Sequence, residues 1–201
     1  MKKICILDYG VGNIRSIFNA LKILEIDCIF SSKKKDISNC SHLILPGVGS
    51  YGAAIFKLMN KIDINLLDNQ VKKICKPILG ICVGMQIFST YGNEFGKYKG
   101  LNWIKGEVKK IDTKKILPHV GWNNVKILKK NLLMNEQNQE FYFLHSYSFH
   151  SSDNKSIFGE TVYDRKIQSI VIKDNIYGVQ FHPEKSQISG LKVLKNFSQI
   201  K

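Results

Sequence analysis

Residues 77–86 read Pro-Ile-Leu-Gly-Ile-Cys-Val-Gly-Met-Gln, and they are the most informative segment of the chain. A short apolar run leads into Gly-x-Cys-x-Gly, a pattern typical of a strand that turns sharply into a helix and carries a nucleophile at the turn. Glycines on both sides of Cys82 let the strand and the helix pack closely. A sulfur at a helix N-terminus is favoured as a thiolate, the form that attacks. We therefore predict that Cys82 is a nucleophile between a strand over 78–81 and a helix over 83–90.

A general base for this thiol lies far downstream in the chain. Residues 177–184 read Tyr-Gly-Val-Gln-Phe-His-Pro-Glu, which indicates a buried strand that ends in His-Pro-Glu. Because residues i and i+2 of an extended chain project to the same side, His182 and Glu184 can face one site. Glu184 is then expected to orient the imidazole, and His182 to activate Cys82. His145 ends an aromatic run and is an alternative base, but His182 is preferred because Glu184 is spaced to orient it.

Apolar strands and helical patterns alternate in the first half of the chain, which predicts a parallel sheet with helices on both faces. The strands are expected over 3–8, 28–30, 43–45 and 78–81, and the helices over 14–24, 52–60, 64–74 and 83–90. After residue 100 strand patterns dominate, over 104–111, 124–128, 141–147, 156–163, 168–173 and 176–181, before a closing helix over 191–197. We predict a single α/β domain over 1–201, with an open, largely parallel sheet flanked by helices and with antiparallel strands added in the second half. In such sheets the site lies beyond the carboxyl ends of the strands.

Composition and charge argue against several other classes of protein. The chain has 201 residues, of which 44% are hydrophobic and 23% charged, as in ordinary globular proteins. Its formal charge of +14 comes from scattered lysines without an RNA-binding or helix-turn-helix motif, so nucleic acid is not an expected partner. The chain has no apolar run long enough to cross a bilayer, and residues 1–3 lead into a strand rather than a signal peptide. We expect a cytoplasmic protein with no membrane partner.

The five cysteines suggest neither a zinc site nor a disulfide framework, since their number is odd and no Cys-x-x-Cys spacing occurs. Cys5, Cys28 and Cys75 lie in or near apolar runs and are expected to be core thiols. Cys40 lies in a polar segment and is expected to be a bystander. No cluster of histidines and carboxylates has metal-ligand spacing, so no metal is expected.

Several motifs taken together identify a resemblance. Residues 80–86 and 181–184 resemble the signature of the class I, or triad, glutamine amidotransferases. Four further segments make the resemblance more specific: Asp-Tyr-Gly-Val-Gly-Asn at 8–13, Pro-Gly-Val-Gly-Ser at 46–50, Pro-His-Val-Gly-Trp-Asn at 118–123 and His-Ser-Tyr at 145–147. In this order they are similar to the glutaminase subunits of imidazole glycerol phosphate synthase, and the resemblance extends from about residue 3 to about residue 198.

The resemblance implies an activity and a partner. Such subunits hydrolyse L-glutamine and pass ammonia to a barrel-type cyclase subunit, here expected as a one-to-one heterodimer, with no cofactor. The ammonia enters a phosphorylated ribulosyl nucleotide, giving imidazole glycerol phosphate and aminoimidazole carboxamide ribotide in histidine biosynthesis.

The resemblance also implies roles for individual residues. The elbow pattern itself makes the N–H of Val83 one oxyanion donor, and the resemblance makes that of Val48 the second, after a rearrangement of the Gly47–Val48 peptide. The residues implied in glutamine binding are Gly47, Gln86, Glu94, Ser146 and Tyr147. The residues implied at the subunit interface are Asn13, Trp122 and Asn123.

Two alternatives to this function stay open at the level of sequence. The segment 101–104 and Val120 differ from the expected histidine-pathway form, so the same glutaminase chemistry could supply a cyclase-like partner that amidates surface sugars. The other alternative is a catalytically silent regulatory scaffold, against which Cys82, His182 and Glu184 all argue.

Overall fold

The structure, a computed structural model, describes residues 3–137 and 139–201, so Met1, Lys2 and Asn138 lie outside it. The expectation that the first residues lead into a strand rather than a signal peptide therefore falls partly outside the described residues. The strands in these ranges are β1 (Ile4–Leu7), β2 (Cys28–Ser31), β3 (His42–Leu45), β4 (Ile78–Ile81), β5 (Tyr91–Gly92), β6 (Tyr98–Lys99), β7 (Gly106–Lys110), β8 (His119–Ile127), β9 (Gln139–His145), β10 (Tyr147–Ser151), β11 (Ile157–Tyr163), β12 (Arg165–Lys173) and β13 (Ile176–Val179). The helices are α1 (Ile14–Ile23), α2 (Lys34–Asn39), α3 (Tyr51–Lys61), α4 (Ile64–Asp68), α5 (Val83–Gln86) and α6 (Gln187–Gln199), and α4 continues into a wider π-helical turn over Asn69–Lys73.

The main sheet has a parallel half and an antiparallel half. Its strand order is β2-β1-β3-β4-β13-β12-β11-β8-β9. Neighbours from β2 to β13 are parallel, and neighbours from β13 to β9 are antiparallel. A second sheet has the order β10-β7-β5-β6. The predicted α/β architecture, with antiparallel strands added in the second half, is confirmed.

Burial explains why the central strands form where they do. Every residue of β1, β3, β4 and β13 is buried, as expected for parallel strands covered on both faces. Strands β4 and β13 are neighbours, with Ile81 opposite Val179. Their carboxyl ends therefore bring the next residues along the chain, Cys82 and the segment 180–184, to one edge of the sheet.

The helix after Cys82 is shorter than predicted. It ends at Gln86 rather than at residue 90, because a crossing segment takes the next carbonyl groups: Leu101 N–H donates to Ile87 O at 2.9 Å. So short a helix has little dipole. What α5 offers a thiolate is the set of unpaired N–H groups in its first turn.

Other differences from the predicted elements also have tertiary causes. Strand β8 begins at His119 rather than at residue 124, because pairing with β9 overrides the weak strand propensity of Gly121 and the asparagines around it. Helix α2 and strands β5, β6 and β10 were not predicted. Among the described residues, no helix has the length and apolar character needed to span a membrane.

Two cysteines are placed differently from the prediction. Cys75 is exposed, in a turn where its backbone has φ +58, so it is not a core thiol. Cys40 is 3% exposed and lies against the thiol of Cys5. The polar residues around Cys40 hide this burial in the sequence, because they face solvent while the thiol points inward. Cys5 and Cys28 are core thiols, as predicted.

Candidate active site

Cys82 lies at the sharp turn between β4 and α5. Its backbone has φ +53 and ψ −113, a conformation that costs free energy for a residue other than glycine and that functional sites tend to retain. Cys82 N–H donates to Val179 O at 2.8 Å, and Gln86 N–H donates to Cys82 O at 3.1 Å. Gly84 has no room for a side chain, because a Cβ there would collide with Leu45 O on β3. Strand, nucleophile and helix therefore pack as tightly as the Gly-x-Cys-x-Gly pattern predicts.

The side chains of His182 and Glu184 meet beside Cys82. His182 Nδ1 lies 2.9 Å from Glu184 Oε1, and the two side chains are 2% and 1% exposed. Among the described residues, the other carboxylate oxygen of Glu184 is buried with no hydrogen-bond partner. This carboxylate therefore depends on the Nδ1–H group of His182. The contact fixes the imidazole ring through Nδ1, and Cys82 is the other side-chain partner of the ring.

Electrostatics favour a charged imidazole at this position. Burial lowers the pKa of His182, but the Cys82 sulfur and the Glu184 carboxylate outweigh burial and raise that pKa to about 10. His182 is therefore protonated when the sulfur beside it carries a negative charge. A protonated imidazole beside a cysteine stabilises the thiolate. The site can thus hold a thiolate–imidazolium pair, which is the starting state for attack on a carbonyl carbon.

His145, the alternative base, lies in the same cleft but has both ring nitrogens in use. Its Nδ1 is 2.9 Å from Tyr147 O, and its Nε2 is 3.0 Å from Nδ1 of His119. Burial lowers the pKa of His145 to about 3, so the ring is neutral. A neutral ring with both nitrogens engaged is poorly placed to take a proton from the thiol. Within the described ranges, no three histidines, cysteines or carboxylates are arranged to hold a metal ion.

The cleft in front of the sulfur contains most of the predicted site residues. Its lining residues are Val48, Gly49, Cys82, Val83, Gln86, Glu94, Leu144, His145, Ser146, Tyr147 and His182. Glu184 lies behind His182. Gly47 is not part of the lining: it packs against the elbow, where a Cβ would collide with Gly84 N.

The loop over 46–50 and the start of α5 are the expected sources of the two oxyanion donors. Val83 is the first residue of α5, so its N–H has no acceptor within the helix. Val48 lies on the open side of the cleft, followed by Gly49, whose φ of +85 and free surroundings leave room for a peptide to reorient. The other end of the loop is held, because the Tyr9 hydroxyl donates to Pro46 O at 2.5 Å. Free space around this loop therefore lies at Gly49, while Gly47 packs against the elbow.

Gln86 holds the main chain on the opposite wall of the cleft. It is buried, and its Nε2 donates to Tyr147 O at 2.9 Å and to Gln180 Oε1 at 3.0 Å. Both amide hydrogens are therefore in use, and Oε1 remains to accept from a ligand.

Glu94 combines a structural contact with a place in the cleft. Its Oε2 accepts from Tyr51 N–H at 2.7 Å and so caps the start of α3, the helix that follows the loop over 46–50. Burial raises the pKa of the Glu94 carboxyl, although the hydrogen bond from Tyr51 acts in the opposite direction. A carboxylate in this position suits a cationic group of a ligand.

Gln180 is a site residue that the sequence analysis missed. It is fully buried, its Nε2 lies 3.6 Å from Cys82 Sγ, and its Oε1 accepts from Gln86. An amide N–H directed at a sulfur atom can donate a hydrogen bond to it. A signal for Gln180 was present in the sequence, because the same i, i+2 spacing that selects His182 and Glu184 also selects the residue two before His182.

The three residues expected at an interface lie in different surroundings. Asn13 is half-buried at the start of α1. Trp122 is 46% exposed on β8 and packs edge-to-face against Tyr142. Asn123 turns inward, with its Nδ2 3.2 Å from Nε2 of His119. Trp122 thus presents apolar surface to solvent, while the Asn123 amide is engaged within the chain.

The chain is similar to known proteins over almost its whole length. A sequence profile described as "Glutamine amidotransferase class-I" matches residues 5–200. Imidazole glycerol phosphate synthase subunit HisH 2 of Methanococcus maripaludis is 42% identical over 198 residues, which cover 96% of this chain and 98% of that protein. Imidazole glycerol phosphate synthase subunit HisH of Leptospira borgpetersenii is 40% identical over 204 residues, which cover 97% of this chain and 98% of that protein.

Solved structures with lower identity share the fold. A crystal structure of a glutamine amidotransferase superposes with a TM-score of 0.78 at 15% identity, covering 98% of this chain and 99% of that chain. PurLQS from Thermotoga maritima superposes with a TM-score of 0.76 at 20% identity, covering 98% of this chain and 97% of that chain.

Proposed function

The chain belongs to the class-I glutamine amidotransferase family and, within it, to the HisH subunits of imidazole glycerol phosphate synthase, and on this basis we propose that it hydrolyses L-glutamine and delivers ammonia to a synthase partner. The proposed partner is a barrel-type cyclase subunit. There, ammonia enters a phosphorylated ribulosyl nucleotide, giving imidazole glycerol phosphate and aminoimidazole carboxamide ribotide in histidine biosynthesis. We assign the chain one amidotransferase domain and a cytoplasmic location, which suits its five unpaired thiols.

The proposed reaction proceeds through a thioester. The Cys82 sulfur attacks the side-chain amide carbon of glutamine, and the carbonyl electrons move to oxygen, where the N–H groups of Val48 and Val83 stabilise the charge. The imidazolium of His182 gives its proton to the amide nitrogen, the C–N bond breaks and ammonia leaves. His182 then takes a proton from water as the water attacks the thioester. Glutamate departs, and the thiolate–imidazolium pair is restored.

Substrate binding uses the two walls of the cleft. We propose that Glu94 binds the α-ammonium group of glutamine, as a half-buried carboxylate in the cleft suits a cation. The main chain at Ser146 and Tyr147, fixed in part by Gln86, binds the α-carboxylate. Gly47 contributes through its backbone and by allowing the loop to pack against the elbow.

The observation that carries this proposal is the buried Cys82–His182–Glu184 constellation on a strained elbow. In the assembled complex, Cys82→Ala should abolish glutamine hydrolysis, while added ammonium salts should still drive synthesis by the partner. Cys75→Ala is the matched control, because Cys75 is an exposed thiol that does not line the cleft, and this variant should retain both activities. Near-wild-type glutaminase in the Cys82 variant would refute the mechanism. A wild-type complex that neither hydrolyses glutamine nor reacts at Cys82 with a glutamine-mimicking electrophile would instead favour a silent scaffold.

An apolar patch next to the cleft is the proposed docking face for the cyclase. Val120, Trp122 and Leu144 are all exposed, and β8 pairs with β9 so that Val120 lies opposite Leu144 and Trp122 opposite Tyr142. Leu144 also lines the cleft. Exposed apolar side chains grouped in this way are typical of protein interfaces. We also propose Asn13 and Asn123 as interface residues, although the Asn123 side chain turns away from the face that carries Trp122. In this proposal the partner closes over the exit for ammonia.

This docking face can be tested with a pair of matched variants. Trp122→Ala should raise the Kd for the one-to-one complex roughly 10-fold or more, the range for an aromatic residue at the centre of an interface. Ile188→Ala removes an equally prominent exposed side chain, 73% exposed on α6, and should leave the Kd unchanged. Sedimentation equilibrium with the cyclase measures both. Equal affinities for the two variants would place the interface elsewhere.

A further inference from the structure

Two buried histidines that take no part in the proposed chemistry connect β8 to the cleft. Asn123 Nδ2 lies 3.2 Å from His119 Nε2, His119 Nδ1 lies 3.0 Å from His145 Nε2, and His145 Nδ1 lies 2.9 Å from Tyr147 O. These three hydrogen bonds form a continuous relay, here called the histidine relay, consisting of Asn123, His119, His145 and Tyr147 O. It begins on the strand that carries Trp122 and ends at the cleft wall.

The partners at the two ends fix the proton positions in between. A carbonyl oxygen can only accept, so His145 carries its proton on Nδ1 and its Nε2 is an acceptor. His119 must then donate from Nδ1, which leaves its own Nε2 to accept from the amide of Asn123. Every donor in the relay meets an acceptor when both rings are neutral. Burial, aided by Lys115, lowers the pKa of His119 to about 4, and burial lowers that of His145 to about 3, so both rings stay neutral at physiological pH.

Packing holds the rings of the relay in place. His119 is stacked between Phe143 and Tyr163, with centroid distances of 4.9 Å and 4.1 Å and nearly parallel planes. His119 and His145 are both buried. A ring held between two aromatic faces cannot turn to another partner without disrupting the core around it.

The relay ends on the same oxygen atom that Gln86 uses. Tyr147 O accepts both from His145 Nδ1 and from Gln86 Nε2. The second amide hydrogen of Gln86 goes to Gln180, which in turn contacts the Cys82 sulfur. The main chain from Leu144 to Tyr147 lines the cleft. Strand pairing with β8 and β7 holds this segment at both ends, and the relay and Gln86 add two hydrogen bonds at Tyr147 O.

From this geometry we infer that His119 is a positioning residue for glutamine binding: acting through His145, it holds the Tyr147 carbonyl and the cleft wall from 144 to 147 in the conformation that binds substrate. The inference rests on the proposed glutaminase function. His119 touches neither the substrate nor the reacting atoms, so its loss acts on the KM for glutamine more than on the reactivity of the thiol. If the link from His119 is lost, the buried Nε2 of His145 has no donor, and the His145 ring is free to change tautomer and release Tyr147 O.

The test compares three variants of the full chain in complex with its cyclase. His119→Leu removes both hydrogen bonds of the ring and should raise the KM for glutamine roughly 10-fold to 100-fold, the effect of leaving a buried acceptor unpaired. His119→Asn places an amide N–H where Nδ1 was and should recover most of the loss. His150→Asn is the matched control, a histidine on β10 that bonds the Ser148 hydroxyl outside the relay, and should leave KM unchanged.

Alkylation of Cys82 separates a positioning effect from collapse of the site. The rate with iodoacetamide, which needs only the thiolate, should stay within a few-fold of wild type in every variant, while the rate with a glutamine-mimicking electrophile should fall in parallel with 1/KM. If His119→Leu does not fold, Asn123→Ala removes the outer link of the relay and should raise KM by a smaller factor.

Four results would overturn the inference. The first is an unchanged KM in His119→Leu, or in Asn123→Ala if that variant replaces it, and the second is the same KM for His119→Asn and His119→Leu. The third is an iodoacetamide rate that falls as much as the rate with the glutamine-mimicking electrophile. The fourth is a set of ¹⁵N resonances that place the proton of His145 on Nε2. A wild-type complex without glutaminase activity would overturn the proposed function and this inference together. An active wild type with any of the four results would overturn the inference alone.

Discussion

Two regions meet at the cleft, and they hold their residues in different ways. The ends of parallel strands β4 and β13 place Cys82, Gln180 and His182 side by side directly through strand register, with Cys82 N–H bonded to Val179 O. The antiparallel strands β8 and β9 hold the cleft wall from 144 to 147 partly through strand pairing, with Val120 opposite Leu144, and partly through side chains, by way of the histidine relay and Gln86. In the proposed function, the first region positions the reacting atoms and the second positions the substrate. Damage to the first should therefore appear mainly in kcat, and damage to the second mainly in KM.

The largest effect expected from this comparison is on His182. His182→Ala should lower kcat by roughly 10²-fold to 10⁴-fold, the range for loss of a general acid–base group, with little change in KM. Glu184→Gln should cost less, because the imidazole remains and loses only its charged partner. Steady-state glutaminase assays of the complex measure both, with His150→Asn as the control outside the site. A larger fall in kcat for His145→Ala than for His182→Ala would reverse the roles of the two regions.

The placement of the first region follows from local signals in the sequence. The pattern Gly-x-Cys-x-Gly after an apolar run and the i, i+2 pair His182 and Glu184 each lie within a single short segment, where strand and turn geometry follow from neighbouring residues. Even there, Gln180 was passed over, although it has the same spacing. The length of α5 was also wrong, since the segment that ends it comes from residue 101 and beyond.

The second region could not be predicted in the same way. His119 and His145 are 26 positions apart in sequence, and nothing near either residue indicates that β8 and β9 pair them directly opposite each other. The strand start at His119 was missed for the same reason, because the pairing partner supplies the stability that the residues themselves lack. Cys75 was expected in the core and is exposed, and the burial of Cys40, expected only to be a bystander in a polar segment, was not foreseen, since a single thiol has no periodicity to read.

A smaller effect is expected at Gln180, which connects the two regions. Gln180→Leu keeps the volume but removes the N–H directed at Cys82 Sγ and the acceptor for Gln86. Because hydrogen bonds to charged groups are worth about 1.5–3 kcal/mol, kcat should fall roughly 10-fold to 100-fold. The KM should rise as well, since Gln86 loses one of its two anchors.

Gln70→Leu, at another buried glutamine, is the control for this comparison. The iodoacetamide rate at Cys82, measured against pH, reports the thiolate directly. If that rate and kcat are both unchanged in Gln180→Leu, the amide has no part in stabilising the sulfur, and the two regions are not linked through it.

The smallest effect is on stability in acid. The pKa shifts of the histidines have opposite directions in the two regions. The folded chain holds His119 and His145 neutral, with pKa values of about 4 and about 3 against an ordinary value of 6.5. As the pH falls below about 6.5, these two histidines bind protons in the unfolded chain but stay unprotonated in the folded chain. The free energy of unfolding therefore falls until the pH passes their folded pKa values. His182 has a raised pKa, so its contribution is already complete below pH 6.5 and does not change over this range.

His119→Asn should therefore flatten the loss of stability between about pH 6.5 and pH 4, measured by urea denaturation at a series of pH values. Asn123→Ala removes a link of the relay without removing a titrating group, and its curve should be lowered as a whole while keeping the wild-type slope. Parallel curves for wild type and His119→Asn would mean that His119 is not held neutral by the fold, and the separation of the two regions by histidine charge would be lost.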